Sequence, residues 1–357
     1  MAPARYAAPR RASLFALAAL AAAAAGAATE PPAASAPPEP AEHVRLAARS
    51  LLIAIAAAGP RLVAVGDRGV IVRSDDRGVS WTQAASVPVQ ALLTGVCFFD
   101  TRRGIAVGHD ELILVTDDGG DHWKVAHYAP EAQRPLLDVW CGAGGAAIAV
   151  GAYSTLLVSA DAGVSWSARP FTPSPVPAPK GTAHAVSGIE AAGGGYHLNR
   201  IAGAAASRLY IAGEAGHLYR SDDAGVHWQQ LASPYAGSFF DVLPLGGDAL
   251  LAGALRGNLY RSDDAGGSWR RLDTGTDQML DGAALLPQGE VAVVGLTGVV
   301  LVSRDGGRSF SLEQQGDRSG LAAAMAVGRD AIVVVGEGGA RLLALGGAAA
   351  AGAGAAP

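Results

Sequence analysis

Short apolar runs closed by turn signals alternate along most of this chain. The first group reads LLIAIAAA, RLVAVG and VIVRS, then a polar octet at residues 74–81, then WTQAAS. Runs of this length, rich in Val, Ile and Leu and punctuated by glycine, predict strands rather than helices. The octet follows the pattern Ser/Thr-x-Asp-x-Gly-x-x-aromatic and recurs at residues 116–123, 159–166, 221–228, 262–269 and 303–310. From aromatic to aromatic the spacings are 42, 43, 62, 41 and 41 residues. A period near that value, with four short strands in each, is one blade of a propeller.

A glycine ends the second strand of each repeat: Gly66, Gly108, Gly151, Gly213, Gly253, Gly295 and Gly336. Seven glycines stand against six octets, so the last repeat stops after its third strand. An open propeller exposes two sheet edges. The segment HVRLAARS at residues 43–50 is expected to close it as the missing outer strand. The expected fold is all-β, a seven-bladed β-propeller with Asp-box turns over residues 43–345. The long interval places an insertion at about residues 167–196, proline-rich and then glycine-rich. From the closing glycine to the octet Ser/Thr the distance is eight residues in five repeats and nine from Gly253 to Ser262. That difference implies one extra residue in the loop carrying Leu255 and Arg256.

Each octet residue type has a turn role. The glycine tolerates positive φ, and the aspartates Asp76, Asp118, Asp161, Asp223, Asp264 and Asp305 accept N–H bonds within the turn. The aromatics Trp81, Trp123, Trp166, Trp228, Trp269 and Phe310 open the outer strand and pack between sheets. Six carboxylates in six different blades cannot meet on one ion, so the octets are structural and hold no metal.

The ends differ from the repeats. Arg10 and Arg11, an apolar run at residues 14–25 and the small residues Ala25, Gly26, Ala27 and Ala28 form an export signal over 1–28. The flanks fit the general secretory route better than the twin-arginine one. Residues 29–42 read as a disordered Pro/Ala-rich spacer, and 346–357 as a disordered tail. Removing Arg5, Arg10 and Arg11 takes the formal charge from −5 to about −8. Such a chain, its arginines scattered, excludes nucleic acid as a partner. Cys97 and Cys141 fall on innermost strands of neighbouring repeats one register position apart, so they read as unpaired buried thiols. A periplasmic or secreted monomer is expected.

Function is sought on the face opposite the octets, formed by the loops between second and third strands and by the connections between blades. The first set carries Asp67, Arg68, His109, Asp110, Glu111, Tyr153, Glu214, His217, Arg256 and Glu337. The connections add Tyr196, His197 and Asn199 in YHLN, and Tyr235, Ser238 and Phe239 in SPYAGSFF. The partner-binding set drawn from these is Tyr196, His197, Asn199, Glu214, Tyr235, Ser238, Phe239 and Arg256. His109, His197 and His217 lack metal-ligand spacing, and no cofactor is implied. The octets also occur in sialidases. Arg68 and Arg256 fall short of an arginine triad, however, and the tyrosine nucleophile paired with a glutamate (Tyr153, Tyr196 or Tyr235 with Glu214) is not specified. A sialidase-like hydrolase, or a carbohydrate-binding propeller without turnover, is the alternative reading.

Through YHLNRIAG, LYIAGEAGHLYRSDDAGVHW, SPYAGSFF and GALRGNLYRSDDAGGSW, the chain resembles the photosystem II stability and assembly factor family, in its non-photosynthetic bacterial branch. The resemblance covers roughly residues 44–345. It implies a non-enzymatic scaffold or accessory factor that binds membrane-protein subunits, or an exporter complex, from the periplasmic side.

Overall fold

In a computed structural model the described residues are 39–176, 195–204 and 207–346. The chain divides into two compact units, 1–37 and 38–357. The first unit, with the proposed signal, lies outside the described residues, as do the tail from 347 and residues 177–194 of the insertion.

The second unit is a seven-bladed propeller: six antiparallel four-stranded sheets and a three-stranded seventh, each with its strands in chain order from the inside out. Blade 1 comprises Leu52–Ala58, Arg61–Gly66, Ile71–Ser74 and Thr82–Gln83. The inner strands of blades 2 to 7 are Leu93–Phe98, Leu136–Cys141, Leu198–Gly203, Phe239–Gly246, Leu280–Leu285 and Leu321–Ala326. Second strands such as Gly104–Gly108 and Ala147–Gly151 are buried on both faces, which is why they read as unbroken apolar runs rather than alternating ones. The core is a ring of apolar layers, one for each pair of adjacent blades. The layer joining blade 7 to blade 1, with Val333 and Val335 against Leu52 and Ile55, closes the ring.

The octets behave as turn locks, with one bond set repeated. In the first, Ser74 Oγ donates to Asp76 Oδ1 (2.7 Å) and accepts from Gly78 N (2.8 Å), and Asp76 Oδ1 accepts from Ser80 N (2.9 Å). The seventh residue adds a side-chain bond absent from the sequence reading: Ser80 Oγ to Asp76 Oδ2 at 2.5 Å, or His227 Nδ1 to Asp223 Oδ2 at 2.6 Å. Bonds from Ser80 and Ser165 hold Asp76 and Asp161 at about 2. At Asp118 and Asp223 burial pushes upward, but bonds from His122 and His227 outweigh it and again leave about 2. The aromatics pack towards the preceding blade, Trp123 and Trp228 fully buried and the other four half-buried.

Three expectations are corrected. The segment at 43–50 is not a strand. It forms a 3-10 turn at Ala47–Arg49 that satisfies its own N–H groups, so they are not free for a ladder. It closes the ring as a strap. Ala47 packs in the layer between blades 7 and 1, and Ala48 O accepts from Ala340 N (2.9 Å) over Gly339, where a Cβ would meet that oxygen at 1.9 Å. The strap begins before His43: Pro40 O accepts from Gln90 Nε2, and Ala41 N donates to Val87 O.

The second correction concerns the cysteines, which form a disulfide with Cα atoms 5.7 Å apart. The one-position offset does put them on opposite faces of equivalent strands. Adjacent blades, however, turn opposite faces towards each other, so Cys97 of blade 2 and Cys141 of blade 3 meet in the layer between them. Third, the GALRG loop is not lengthened. Ala254 N donates to Asn258 O as Gly213 N does to His217 O, so Ala254 rather than Gly253 holds the equivalent position. In most blades that position faces an inner-strand carbonyl at about 2 Å from a built Cβ, as Gly66 does with Leu51 O at 2.1 Å, which explains the glycine preference.

Candidate functional site

The face opposite the octets is built on tight turns whose central residues adopt positive φ. Arg68 (50°), Asp110 (63°), Tyr153 (54°), Ala215 (51°), Arg256 (57°) and Thr297 (56°) occupy the same turn position in six blades. A bulky residue held in this conformation costs energy that a glycine would not. Tyr153 is 53% exposed and meets the His197 ring edge-on at 5.2 Å. Glu214 accepts from His197 N (2.9 Å) and lies 3.4 Å from its Nδ1, fixing that ring on the blade 3–4 connection. Tyr196 stacks on His217 at 4.0 Å, and His217 on Tyr219 at 5.8 Å. One aromatic and acidic surface thus contains Tyr153, Tyr196, His197, Glu214 and His217, and Arg256 is exposed on blade 5.

The rest of the expected set is used inside the fold. Phe239 is fully buried between blades 4 and 5 and cannot touch a partner. Tyr235 is half-buried against Phe239 (6.0 Å) and Tyr260 (6.2 Å). Asn199 Nδ2 donates to Phe239 O (2.7 Å), and Ser238 O accepts from Leu255 N (3.2 Å). An aromatic or polar residue at the mouth of an inner strand serves the seam between blades as readily as it serves a ligand.

A site that the sequence reading missed lies just inside this mouth. In every blade the inner strand skips one residue against its neighbour after the first position, as between Leu198 and Arg200 or Phe239 and Asp241. The bulge frees backbone groups that the preceding blade satisfies: Thr94 Oγ1 donates to Leu136 O (2.7 Å), and Asp138 Oδ2 accepts from Ile201 N (3.0 Å). At these positions four adjacent blades carry charge: Asp138, Arg200, Asp241 and Asp281. The guanidinium Nε of Arg200 is 3.5 Å from Asp138 and 3.2 Å from Asp241. Burial raises Asp138, and burial opposed by Arg200 leaves Asp241 at about 6. Half-buried Asp281 is raised to about 7, first by desolvation and then by Asp241. One guanidinium faces three carboxylates.

These two sets of aspartates act on stability with opposite sign. The octet carboxylates, depressed to about 2, stabilise above roughly pH 4, and that contribution is lost as pH falls towards 2. The axial pair, raised to about 6 and 7, stabilises most below roughly pH 4, and that contribution is lost as pH rises through those values. Thermal melts are therefore expected to peak near pH 4–5, roughly where both sets contribute. Asp281→Asn should flatten the fall on the neutral side and leave the acid limb unchanged.

Residues 75–180, within blades 1 to 3 and the insertion, match the family model described as photosynthesis system II assembly factor YCF48. A structure described as YCF48 bound to D1 peptide superposes with a TM-score of 0.65 at 16% identity, covering 87% of this chain and 99% of the other. YCF48 from Cyanidioschyzon merolae gives 0.65 at 17%, covering 83% and 96%. Residues 75–180 are thus similar to the photosystem II assembly factor family, and the described propeller shares the fold of its solved members. The WD40 propeller domain of Doa1 superposes at a TM-score of 0.61 and 13% identity, covering 86% of this chain and 95% of that one, which reflects the fold alone. In sequence, the uncharacterized protein YkuO of Bacillus subtilis (strain 168) is 32% identical over 99 residues, 27% of this chain. The match spans about a third (32%) of that relative's length. The assembly-factor-like match covers blades 2 and 3, the pair that the disulfide joins.

Proposed function

We propose that this chain is a non-enzymatic protein-binding factor of the periplasm or another oxidising compartment. Its docking face carries Tyr153, His197, Glu214 and Arg256, and its partners are membrane-protein subunits or an exporter complex. The observation that carries the reading is Tyr153, an exposed aromatic held at a φ of 54° and braced by His197. The turn holds the same φ in five other blades, so what sets Tyr153 apart is an exposed aromatic ring already fixed against His197, as a preorganised contact residue needs. The likeness to YCF48, a member of which has been seen with a D1 peptide, supports a membrane-protein partner. The Cys97–Cys141 bond supports the compartment, since such bonds persist where thiols are not kept reduced. A photo-crosslinker placed at Tyr153 or Arg256 is expected to capture a membrane protein from detergent-solubilised membranes.

A further inference from the structure

We propose that the third strand of blade 7, Arg341–Ala344, is an open sheet edge that binds an extended segment of the docked partner as a fourth strand. That segment carries an apolar residue opposite Leu342 and a carboxylate beside Arg49. The inference rests on the docking face above, from which this edge descends, and names the form and chemistry of what the partner presents.

Blade 7 has three strands among the described residues, where the other six blades have four. Its hydrogen bonds show which groups are left over. Gly339 N donates to Gly336 O and Leu345 N to Asp330 O, and between them Arg341 pairs with Val334 and Leu343 with Ile332. In an antiparallel ladder alternate residues bond to the same neighbour, so Leu342 and Ala344 turn their N–H and C=O groups to the open side. The strap takes the outward donor just above them, Ala340 N to Ala48 O, and goes no further. Among the described residues nothing bonds the outward groups of Leu342 and Ala344. In blade 1 the corresponding edge is filled: Ala84 N donates to Ile71 O, and Thr82 pairs with Arg73. Burial agrees. The third strands of the other six blades contain no exposed residue, whereas Leu342 is 43% exposed and Ala344 is exposed. An uncovered edge of this kind is a template for another strand.

Sequence and charge select the occupant. Residues 347–357 are Gly, Ala and one Pro, with no octet and none of the β-branched or aromatic residues that favour strands. A second copy would offer its own edge, RLLA, which has no carboxylate. A carboxylate is called for because Arg49 lies at the head of the edge: a Cβ on Gly339 would meet its Cα at 2.5 Å. Arg49 is exposed and in no ion pair among the described residues. A strand antiparallel to Arg341–Ala344 runs towards the docking face. Its apolar residue therefore comes first, opposite Leu342, and its acidic residue follows near Arg49.

The test is amide hydrogen exchange on the intact protein titrated with acetyl-Thr-Val-Thr-Val-Thr-Glu-amide. The amides of Leu342 and Ala344 should exchange fast alone and become protected saturably with the peptide. The same peptide with its second valine replaced by proline should protect neither. Arg49→Glu should weaken binding about two- to fivefold, as expected for an exposed ion pair. Leu342→Pro should abolish protection of Ala344, since that N–H serves no bond within the blade and an edge strand tolerates the ring. Melting curves establish that both variants are folded. Absence of protection, equal protection by the proline peptide, or unchanged affinity in Arg49→Glu would overturn the proposal. So would protection in the free protein that is lost on removing residues 347–357, or that tracks dimer formation in sedimentation. Failure here leaves the docking face standing, because crosslinking from Tyr153 and Arg256 does not depend on blade 7.

Discussion

Replacing both cysteines, Cys97→Ala with Cys141→Ala, is expected to destabilise the propeller by about 4 kcal/mol on the chain-entropy account of a cross-link. The bond closes a loop across a sequence separation of 44, and it joins inner strands of two blades rather than two strands of one. Opening it releases the blade 2–3 layer, where Cys97 and Cys141 pack beside Ile105 and Val139. Denaturant unfolding with and without a reductant checks this. The wild type under reductant should fall to the level of the double variant, and the double variant should not respond. An unchanged midpoint in both would mean that the layer holds itself.

Trp228→Ala is expected to cost about 3–5 kcal/mol, as a large-to-small change in a packed interior. Trp228 is 6% exposed and fills the layer between blades 3 and 4 with Ile148, Leu209 and Tyr219. Phe171, from the start of the insertion, covers it at 6.0 Å. A finer comparison separates packing from hydrogen bonding. Trp123 Nε1 donates to Gly120 O at 3.0 Å, whereas Trp228 Nε1 has no acceptor because Arg169 Nη1 takes Gly225 O at 2.9 Å. Trp228→Phe should therefore cost less than Trp123→Phe, since only the second breaks a made bond. Thermal melts of the three variants decide it.

The repeat was legible because each octet must solve the same turn. The positive φ at its glycine, the carboxylate bonded to the seventh residue's N–H and the aromatic all follow from local chemistry, so spacing counted the blades. What depends on how blades face each other was not legible from one repeat at a time. The register offset of Cys97 and Cys141, taken as grounds against a bond, is the condition for one across a blade interface. The strap at 43–50 has strand-like composition, but its local 3-10 bonds take the groups that a ladder would need. Ala254 shows that a glycine marks its position only where a carbonyl comes close. On the face opposite the octets the exposure of the turn residues Tyr153 and Arg256 follows from their turns, whereas Phe239 and Asn199, also expected to be accessible, lie in the seam because inner-strand mouths are also seams. The axial charges lie in different repeats. Stacking LLDVWC, LNRIAG, FFDVLPLG and LDGAAL in register would have revealed them as charged residues in apolar strands.

The central claim is that partners dock on the face opposite the octets. Site-specific photo-crosslinking from both faces tests it, with probes at Tyr153 and Arg256 on one side and at the octet valines Val79 and Val164, exposed to 72% and 71%, on the other. The account predicts membrane-protein adducts from Tyr153 and Arg256 and none from the valines. Adducts formed from Val79 and Val164, with Tyr153 and Arg256 silent, would contradict it.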